Sequence, residues 1–201
     1  MGHPAIAIDS MAPEDRLNLI GELWDSPQHA GAKGDLVADT DKIAVEGNWL
    51  IHSDRASVYA IVSDFEHLPE HFPKVARAIR VLSRDGDVLT IEAEAASFGR
   101  LFPTAKILMT AELLPGEGYR CSTHNLAFNT TGDERLLLID DPDGTRINYT
   151  YFVTVKNRRL RPLYAWGVRT FGLPYWKRCF VDRLEVLLAA KNTADASATA
   201  G

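Results

Sequence analysis

The sequence predicts an α+β fold in which one long C-terminal helix packs against a curved, seven-stranded antiparallel sheet. Three observations lead to this prediction: several runs alternate apolar and polar residues, short turn signals separate those runs, and a helical apolar pattern closes the chain. Period-two runs are typical of strands with one buried face, and short connections favour antiparallel neighbours. The 201 residues, 46% hydrophobic and 24% charged, have the composition of a globular protein.

The chain divides into an extension, a body and a tail. Residues 1–41 contain a short amphipathic helix, predicted over 13–25 after Pro13, and then a polar linker. Residues 42–191 are predicted to form the α+β domain. Residues 192–201 are rich in Ala, Ser and Thr, and we expect a disordered tail there.

The elements of the body follow in order. Ser53-Asp54 is predicted to cap a helix, a second short helix fits within 64–73, and the last helix covers about 161–190. Gly172 and Pro174 predict a kink or a break in that last helix. The run from Leu136 to Ile139 leaves open which faces of two strands, 118–128 and 134–141, point inward. The seven strands, of which the last six form a meander, are predicted near 42–53, 76–84, 87–97, 104–114, 118–128, 134–141 and 145–156.

The charge is unevenly distributed. The formal net charge of −5 argues against a general nucleic-acid binder. Residues 156–191 nevertheless contain nine Lys and Arg against two acids. This segment is either the solvated face of a helix or a surface that attracts an anionic ligand, an anionic membrane surface or a protein partner.

The cysteines and the N-terminus predict a cytoplasmic protein. Cys121 and Cys179 are too few for a disulfide framework and favour two reduced thiols. No run reaches the ~18 apolar residues of a spanning helix. The first residues show neither a basic start nor an apolar stretch, so we expect no export signal.

The order of elements and three segments carry a family resemblance. Residues 57–73 contain an Asp-Phe turn followed by a Leu-Pro…Pro helix, 143–149 form a Gly-Thr hairpin, and 184–188 close the last helix. These residues resemble the helix-grip superfamily (SRPBCC), which includes START lipid-transfer domains, birch-pollen-allergen-like proteins and polyketide cyclases/dehydrases. The resemblance implies a cavity for a hydrophobic ligand between the last helix and the sheet. It implies no catalytic residue, because the superfamily has no shared catalytic motif.

Two further motifs allow alternative interpretations. Residues 12–26 are similar to the helical motif of addiction-module antitoxin components, and they equally fit an extra helix that packs on the body or on a partner. His67-Leu68-Pro69-Glu70-His71 spells an inverted zinc-protease pattern. The second short helix already accounts for these residues, so we predict no metal and no cofactor.

The candidate site residues are those expected to line the space under the last helix. His124 is either a surface or hydrogen-bonded histidine or a general acid/base. Tyr149 and Tyr151 share one face of the seventh strand, where they either pack in the core or meet a ligand. Further candidates for ligand binding are Met109, Tyr164, Trp166 and Arg169.

Three functions remain open at this stage. The first is binding or transport of a hydrophobic or aromatic small molecule, lipid- or polyketide-like, in that cavity. The second is a polyketide cyclase or dehydratase in which His124 or Tyr149 moves protons. The third is an interaction protein that uses the helix at 13–25. The oligomeric state is also open.

Overall fold

The computed structural model describes residues 42–95, 105–126, 130–155, 159 and 161–199, with side chains up to Thr193. All described residues belong to one compact unit, Asp41–Gly201. The helix expected over 13–25 and the antitoxin-like segment lie outside the described residues.

Seven strands form one antiparallel sheet in the order β1-β7-β6-β5-β4-β3-β2. This arrangement confirms the predicted α+β fold and the meander of the last six strands. β6 begins at Thr130, four residues earlier than expected, because its first residues lack the apolar alternation that marks a strand. The strands are β1 (Lys42–Ile51), β2 (Ala76–Asp85), β3 (Val88–Ala95), β4 (Ala105–Leu114), β5 (Gly118–Asn125), β6 (Thr130–Asp141) and β7 (Gly144–Val155).

Two short helices connect β1 to β2. α1 (Arg55–Val62) begins where predicted, because the Asp54 side chain accepts a hydrogen bond from the Ser57 backbone N–H at 2.9 Å. α2 (Leu68–His71) has Pro69 in its first turn. The buried Thr145 hydroxyl donates to the Ser53 carbonyl oxygen at 2.8 Å, which fixes the start of this connection to β7.

The C-terminal helix, residues 161–199, alternates between α-helical and wider π-helical turns. Of the predicted kink or break at Gly172 and Pro174, the break does not occur, since helical turns follow one another without a gap there. Instead, the Leu173 N–H bonds the Val168 carbonyl five residues earlier, a π-type turn that accommodates the N–H missing from Pro174. The α-helical parts are Arg161–Gly167, Leu173–Trp176 and Asp182–Thr199, and the π-helical parts are Val168–Gly172 and Lys177–Val181.

The C-terminal helix continues to Thr199, whereas we expected a disordered tail from residue 192. Alanine is the best helix former, and the Ala-rich composition that suggested disorder also extends a helix that has already begun. No helix among the described residues combines the length and the apolarity needed to cross a membrane.

The core lies between the inner face of the sheet, α1, α2 and the C-terminal helix. Phe72 just after α2, Leu184 from the C-terminal helix and Ile147 from β7 are almost fully buried in it. The Arg183 guanidinium donates to the His71 carbonyl oxygen at 3.1 Å and joins the C-terminal helix to α2. The packed helix therefore covers one face of the sheet and makes that face the interior of the domain.

Candidate functional site

Strand register determines which side chains face the C-terminal helix. The row that crosses the middle of the sheet runs from Ala111 through Cys121 and Glu134 to Tyr151. The neighbouring row on the same face contains Tyr119, Leu136 and Tyr149, and the row on its other side contains Met109, Thr123 and Gly132. Three tyrosines, one thiol and one carboxyl group therefore lie together on the inner face.

The apolar packing on this face forms two clusters. The larger contains Tyr149 and Phe180, and the smaller consists of Ile43, Val153 and Val155 with Tyr164 and Ala165 against it. Tyr151 packs against both clusters. Between them lie polar side chains, those of Glu134 and Thr123, which remain only half-buried although they face the helix. The interior is thus apolar at two ends and polar, with accessible surface, between them.

Stacked aromatic rings bound the larger cluster. The Tyr149 ring stacks on Trp176 at a centroid distance of 4.0 Å, Trp176 stacks on Phe180 at 4.6 Å, and Phe180 stacks on Phe72 at 4.3 Å. Trp49 lies 5.4 Å from Trp176. This column links the sheet to the C-terminal helix and to the residue that follows α2, and Tyr149 at its sheet end lies in the row beside Glu134.

Glu134 is the central polar group. The Tyr119 hydroxyl donates a hydrogen bond to its Oε1 at 2.8 Å, while Cys121 and Tyr151 lie directly opposite it on the neighbouring strands. Burial raises the pKa of Glu134 to about 7, and the bond from Tyr119 only partly counteracts this shift. Burial also raises the pKa values of Tyr119, Cys121 and Tyr149, and the nearby Glu134 carboxylate adds to each shift. A carboxyl group with a pKa near 7 both accepts and donates a proton at neutral pH.

Tyr151 is held across the strands by its neighbours. Its hydroxyl forms a hydrogen bond with Thr123, and the Thr123 hydroxyl donates to the Gly132 carbonyl oxygen at 3.2 Å. A Cβ atom at Gly132 would lie 2.6 Å from the Tyr151 ring and hydroxyl, so glycine leaves the space that the ring occupies. Burial, followed by the neighbouring Tyr164 and Glu134, raises the pKa of Tyr151. We refer to Tyr119, Cys121, Thr123, Glu134, Tyr149 and Tyr151 as the Glu134 site.

The structure brings together only some of the residues singled out from the sequence. Met109, Tyr149 and Tyr151 lie on the inner face at or beside the Glu134 site. Tyr164 packs against the smaller cluster, and its hydroxyl forms a hydrogen bond with Thr130.

Three sequence-based candidates lie elsewhere. His124 pairs with Leu108 and Thr131 on the outer face, so the structure does not bring it together with Tyr149. The sequence left the inward face of β5 open. Trp166 and Arg169 are exposed and do not face the sheet.

Sequence reasoning did not identify Glu134, Tyr119 or the role of Trp176 beside Tyr149. One sequence signal pointed to Glu134, namely its two-residue spacing from Leu136 and Leu138, which places all three on one face of the strand. In the structure Leu136 and Leu138 are buried on that face. The unbroken apolar run 136–139 concealed that alternation. Trp176, which stacks on Tyr149, lies between two π-helical turns, for which the sequence carries no periodic signal.

The two histidines of the inverted zinc-protease pattern both lie against the carboxylate of Asp64. His67 Nδ1 lies 2.9 Å from Asp64 Oδ1, and His71 Nε2 lies 3.4 Å from Asp64 Oδ2. The hydrogen bond and the charge of Asp64 raise the pKa of His67. Within the described ranges, no group of three or more His, Cys, Asp or Glu side chains is arranged to hold a metal ion.

A depression of about 480 Å³ lies over β1, β7 and β6. Most of its lining belongs to the outer face of the sheet, including Glu46, Asn48 and Arg135. Asn48 is hydrogen-bonded to Asn148 and accepts from Arg146, so these polar groups already satisfy one another. The depression shares Tyr149 with the Glu134 site, and its other lining residues do not belong to that site.

Comparison with known proteins yields structural neighbours. No family model and no curated protein matches the chain. A START superfamily protein from Mycobacterium smegmatis is 17% identical with a TM-score of 0.57, and the match covers 73% of this chain and 97% of that one. The Zhui aromatase/cyclase from a Streptomyces species is 12% identical, with a TM-score of 0.54 and coverages of 74% and 93%. A point mutant of Thalictrum flavum norcoclaurine synthase, in complex with a transition-state analogue, is 12% identical, with a TM-score of 0.57 and coverages of 75% and 96%.

The chain has the START-like, helix-grip fold. In this helix-grip domain the C-terminal helix lies across the curved sheet as the resemblance implied. The second resemblance, to antitoxin components, has no support in these comparisons.

Proposed function

We propose that this helix-grip protein binds an apolar, aromatic small molecule at the Glu134 site, between the C-terminal helix and the sheet. The observation that carries the proposal is the division of the inner face into two apolar clusters with half-buried polar side chains between them. A ligand with an aromatic body and a polar end matches such a lining, because apolar walls supply burial and a few polar groups supply orientation.

The chemistry of the lining supports this ligand class. Tyr149, Trp49 and Trp176 form an aromatic wall beside the polar side chains. Glu134 and the hydroxyl of Tyr151 offer hydrogen bonds to a hydroxyl or carbonyl group of the ligand. Two structural neighbours, named as an aromatase/cyclase and as a norcoclaurine synthase holding a transition-state analogue, lend further support, since they have the same fold.

Binding is tested with a matched pair of variants. Thr123 faces inward, and Thr131 on the adjacent strand faces outward. Thr123→Phe places a bulky ring in the Glu134 site, whereas Thr131→Phe places the same ring on the outer face. We expect saturable quenching of tryptophan fluorescence by anilinonaphthalene sulfonate in the wild type and in Thr131→Phe. We expect at least about tenfold weaker binding in Thr123→Phe. No saturable binding in the wild type, or equal binding in both variants, would contradict the proposal.

A second candidate function is catalysis of the polyketide cyclase type, favoured by Glu134 and its bond to Tyr119. The Glu134 carboxylate would remove a proton from the carbon beside a ketone, leaving an enolate and a protonated Glu134. The enolate carbon would then attack a second carbonyl of the same molecule, forming a C–C bond. Glu134 would return its proton to the new alkoxide, so atoms and charge balance without a cofactor.

The catalytic candidate is tested by deuterium exchange beside the carbonyl of an aryl ketone such as 2-tetralone, followed by NMR. We expect the wild type and His124→Ala to accelerate exchange, since His124 lies on the outer face. We expect Glu134→Gln to lose the acceleration while still binding anilinonaphthalene sulfonate. If the wild type binds anilinonaphthalene sulfonate but does not accelerate deuterium exchange, the catalytic candidate is contradicted and the binding function remains.

A further inference from the structure

The C-terminal helix displays a contiguous apolar patch. Leu163 is 65% exposed, Trp166 58% and Phe171 60%. The Trp166 and Phe171 rings meet edge to face with centroids 5.3 Å apart. Residues five apart approach each other because the helix widens to π-helical turns from Val168. We refer to these three residues as the aromatic patch.

The patch points away from the interior. Tyr164 and Ala165, on the same helical stretch, pack against Ile43 and Val153 of the smaller cluster. The side chains of the aromatic patch are therefore not required to close the core. Large exposed apolar groups that do not stabilise the fold indicate an interaction surface.

The charge around the patch has one sign. Residues 156–181 contain seven Lys and Arg and no Asp or Glu, while the rest of the chain contains 15 basic and 27 acidic residues. This segment therefore contributes +7 against −12 elsewhere, which gives the net −5. Arg169 and Arg178 are exposed, and Lys177 pairs with Asp182 just beyond the segment. Apolar rings and cations thus share one surface of an otherwise acidic molecule.

We propose that this surface docks on the headgroup region of an anionic lipid bilayer, a property beyond ligand binding at the Glu134 site. Tryptophan rings favour the membrane–water interface, and Leu and Phe gain from burial at the boundary of the acyl chains. Each Lys or Arg near an anionic surface adds to the attraction. The acidic remainder of the chain is repelled by the same surface, so the charge asymmetry orients the C-terminal helix toward the lipid.

The aromatic contribution is tested by flotation of the full chain with two kinds of vesicle. One is phosphatidylcholine alone, and the other contains one part in three of phosphatidylglycerol. We expect the wild type to float with the anionic vesicles only, and strong salt to reduce the effect. The double variant Trp166→Ser/Phe171→Ser should bind at least about tenfold more weakly. The control Ile139→Ser/Val186→Ser removes two exposed apolar side chains, 45% and 57% exposed, from other positions and should bind as the wild type does.

The charge contribution has its own matched pair. Arg169→Gln/Arg178→Gln removes two exposed cations of the basic segment. Arg120→Gln/Arg135→Gln removes two exposed cations that lie opposite each other on neighbouring strands, on the outer face of the sheet. We expect only the first pair to weaken flotation. Three results would each overturn the proposal. They are an equal loss of vesicle binding in both double arginine variants, equal binding of the wild type to neutral and anionic vesicles, and undiminished binding of Trp166→Ser/Phe171→Ser. Binding of an oligonucleotide in place of the anionic vesicles would overturn it as well.

Discussion

At the scale of single residues, the Glu134 site depends on one hydrogen bond between two inward-facing side chains. Tyr119 donates to Glu134 at 2.8 Å, and this bond lowers a pKa that burial raises. Its energetic effect is directional, because an ionised carboxylate is a stronger acceptor than a neutral acid. The tyrosine therefore brings the carboxyl group closer to the range in which it exchanges protons at neutral pH.

Removing that donor has a measurable consequence. In Tyr119→Phe we expect the pKa of Glu134 to rise further above its value of about 7, since the stabilising bond to the charged form is lost. The measurement is an NMR titration of the glutamate side-chain carboxyl carbons. Tyr59→Phe, on α1, is the control and should leave the titration unchanged. An unchanged or lower pKa in Tyr119→Phe would show that the bond does not stabilise the carboxylate.

Gly132 matters for the space it leaves free. In Gly132→Ala the new methyl group would lie 2.6 Å from the Tyr151 ring and 2.8 Å from Thr123 Oγ1, so the ring must move. We expect a loss of about 1–3 kcal/mol in the free energy of unfolding, typical of overpacking. Gly167→Ala is the counterpart, because that glycine is helical and its Cβ would meet nothing within 4 Å.

In Gly167→Ala we expect a gain of about 1 kcal/mol from helix propensity. Urea denaturation of both variants gives the two differences in the free energy of unfolding. A stable Gly132→Ala would show that Tyr151 is free to leave its place without energetic cost.

At the scale of elements, α1 depends on the residue that caps its N-terminus. The Asp54 side chain is the N-cap, and the hydrogen bond from Ser57 lowers the pKa of this carboxyl group. We expect Asp54→Ala to lower the free energy of unfolding by about 1 kcal/mol, whereas Asp54→Asn, a comparable capping residue, should lose little. Chemical denaturation of both variants at neutral pH distinguishes the cap from a general charge effect. A similar loss in the free energy of unfolding in both variants would show that the charge of Asp54, and not its capping hydrogen bond, is responsible.

The C-terminal helix shows why some element boundaries are not readable from sequence. Pro174 predicted a break because proline lacks an N–H and clashes with the preceding turn. The helix continues because its N-terminal neighbour Leu173 bonds back five residues, and packing of Trp176 and Phe180 against the core holds the wider turn. Tertiary packing therefore overrides a local signal at this point of the helix.

At the scale of the whole molecule, the order of strands was predictable and the site was not. Turns such as Asp85-Gly86-Asp87 and Asp143-Gly144 separate alternating runs, so neighbours along the chain become neighbours in the sheet. The Glu134 site arises instead from register across β5, β6 and β7. A shift by one residue would exchange the inner and outer faces, and His124 rather than Cys121 would then face the helix.

The last prediction concerns the stability of the whole domain as a function of pH. The folded-state pKa of Glu134, about 7, lies above its ordinary value of 4.5 because burial disfavours the charge. A group of this kind binds its proton more tightly in the folded state. Its contribution is therefore complete below about pH 4.5 and is lost as the pH rises through about 7. At about 1.4 kcal/mol for each pKa unit, the loss reaches roughly 3 kcal/mol.

Glu134→Gln isolates this contribution, because the neutral amide has a similar shape and does not titrate. The titrating groups that face residue 134, namely Tyr119, Cys121, Tyr149 and Tyr151, have raised pKa values and stay protonated. His67 and Asp64 titrate equally in both proteins and cancel in the difference. We expect similar unfolding free energies near pH 5, and a variant more stable by up to roughly 3 kcal/mol near pH 9. Urea denaturation across this range measures the difference, and parallel curves for the two proteins would show that Glu134 is not held in a desolvated interior.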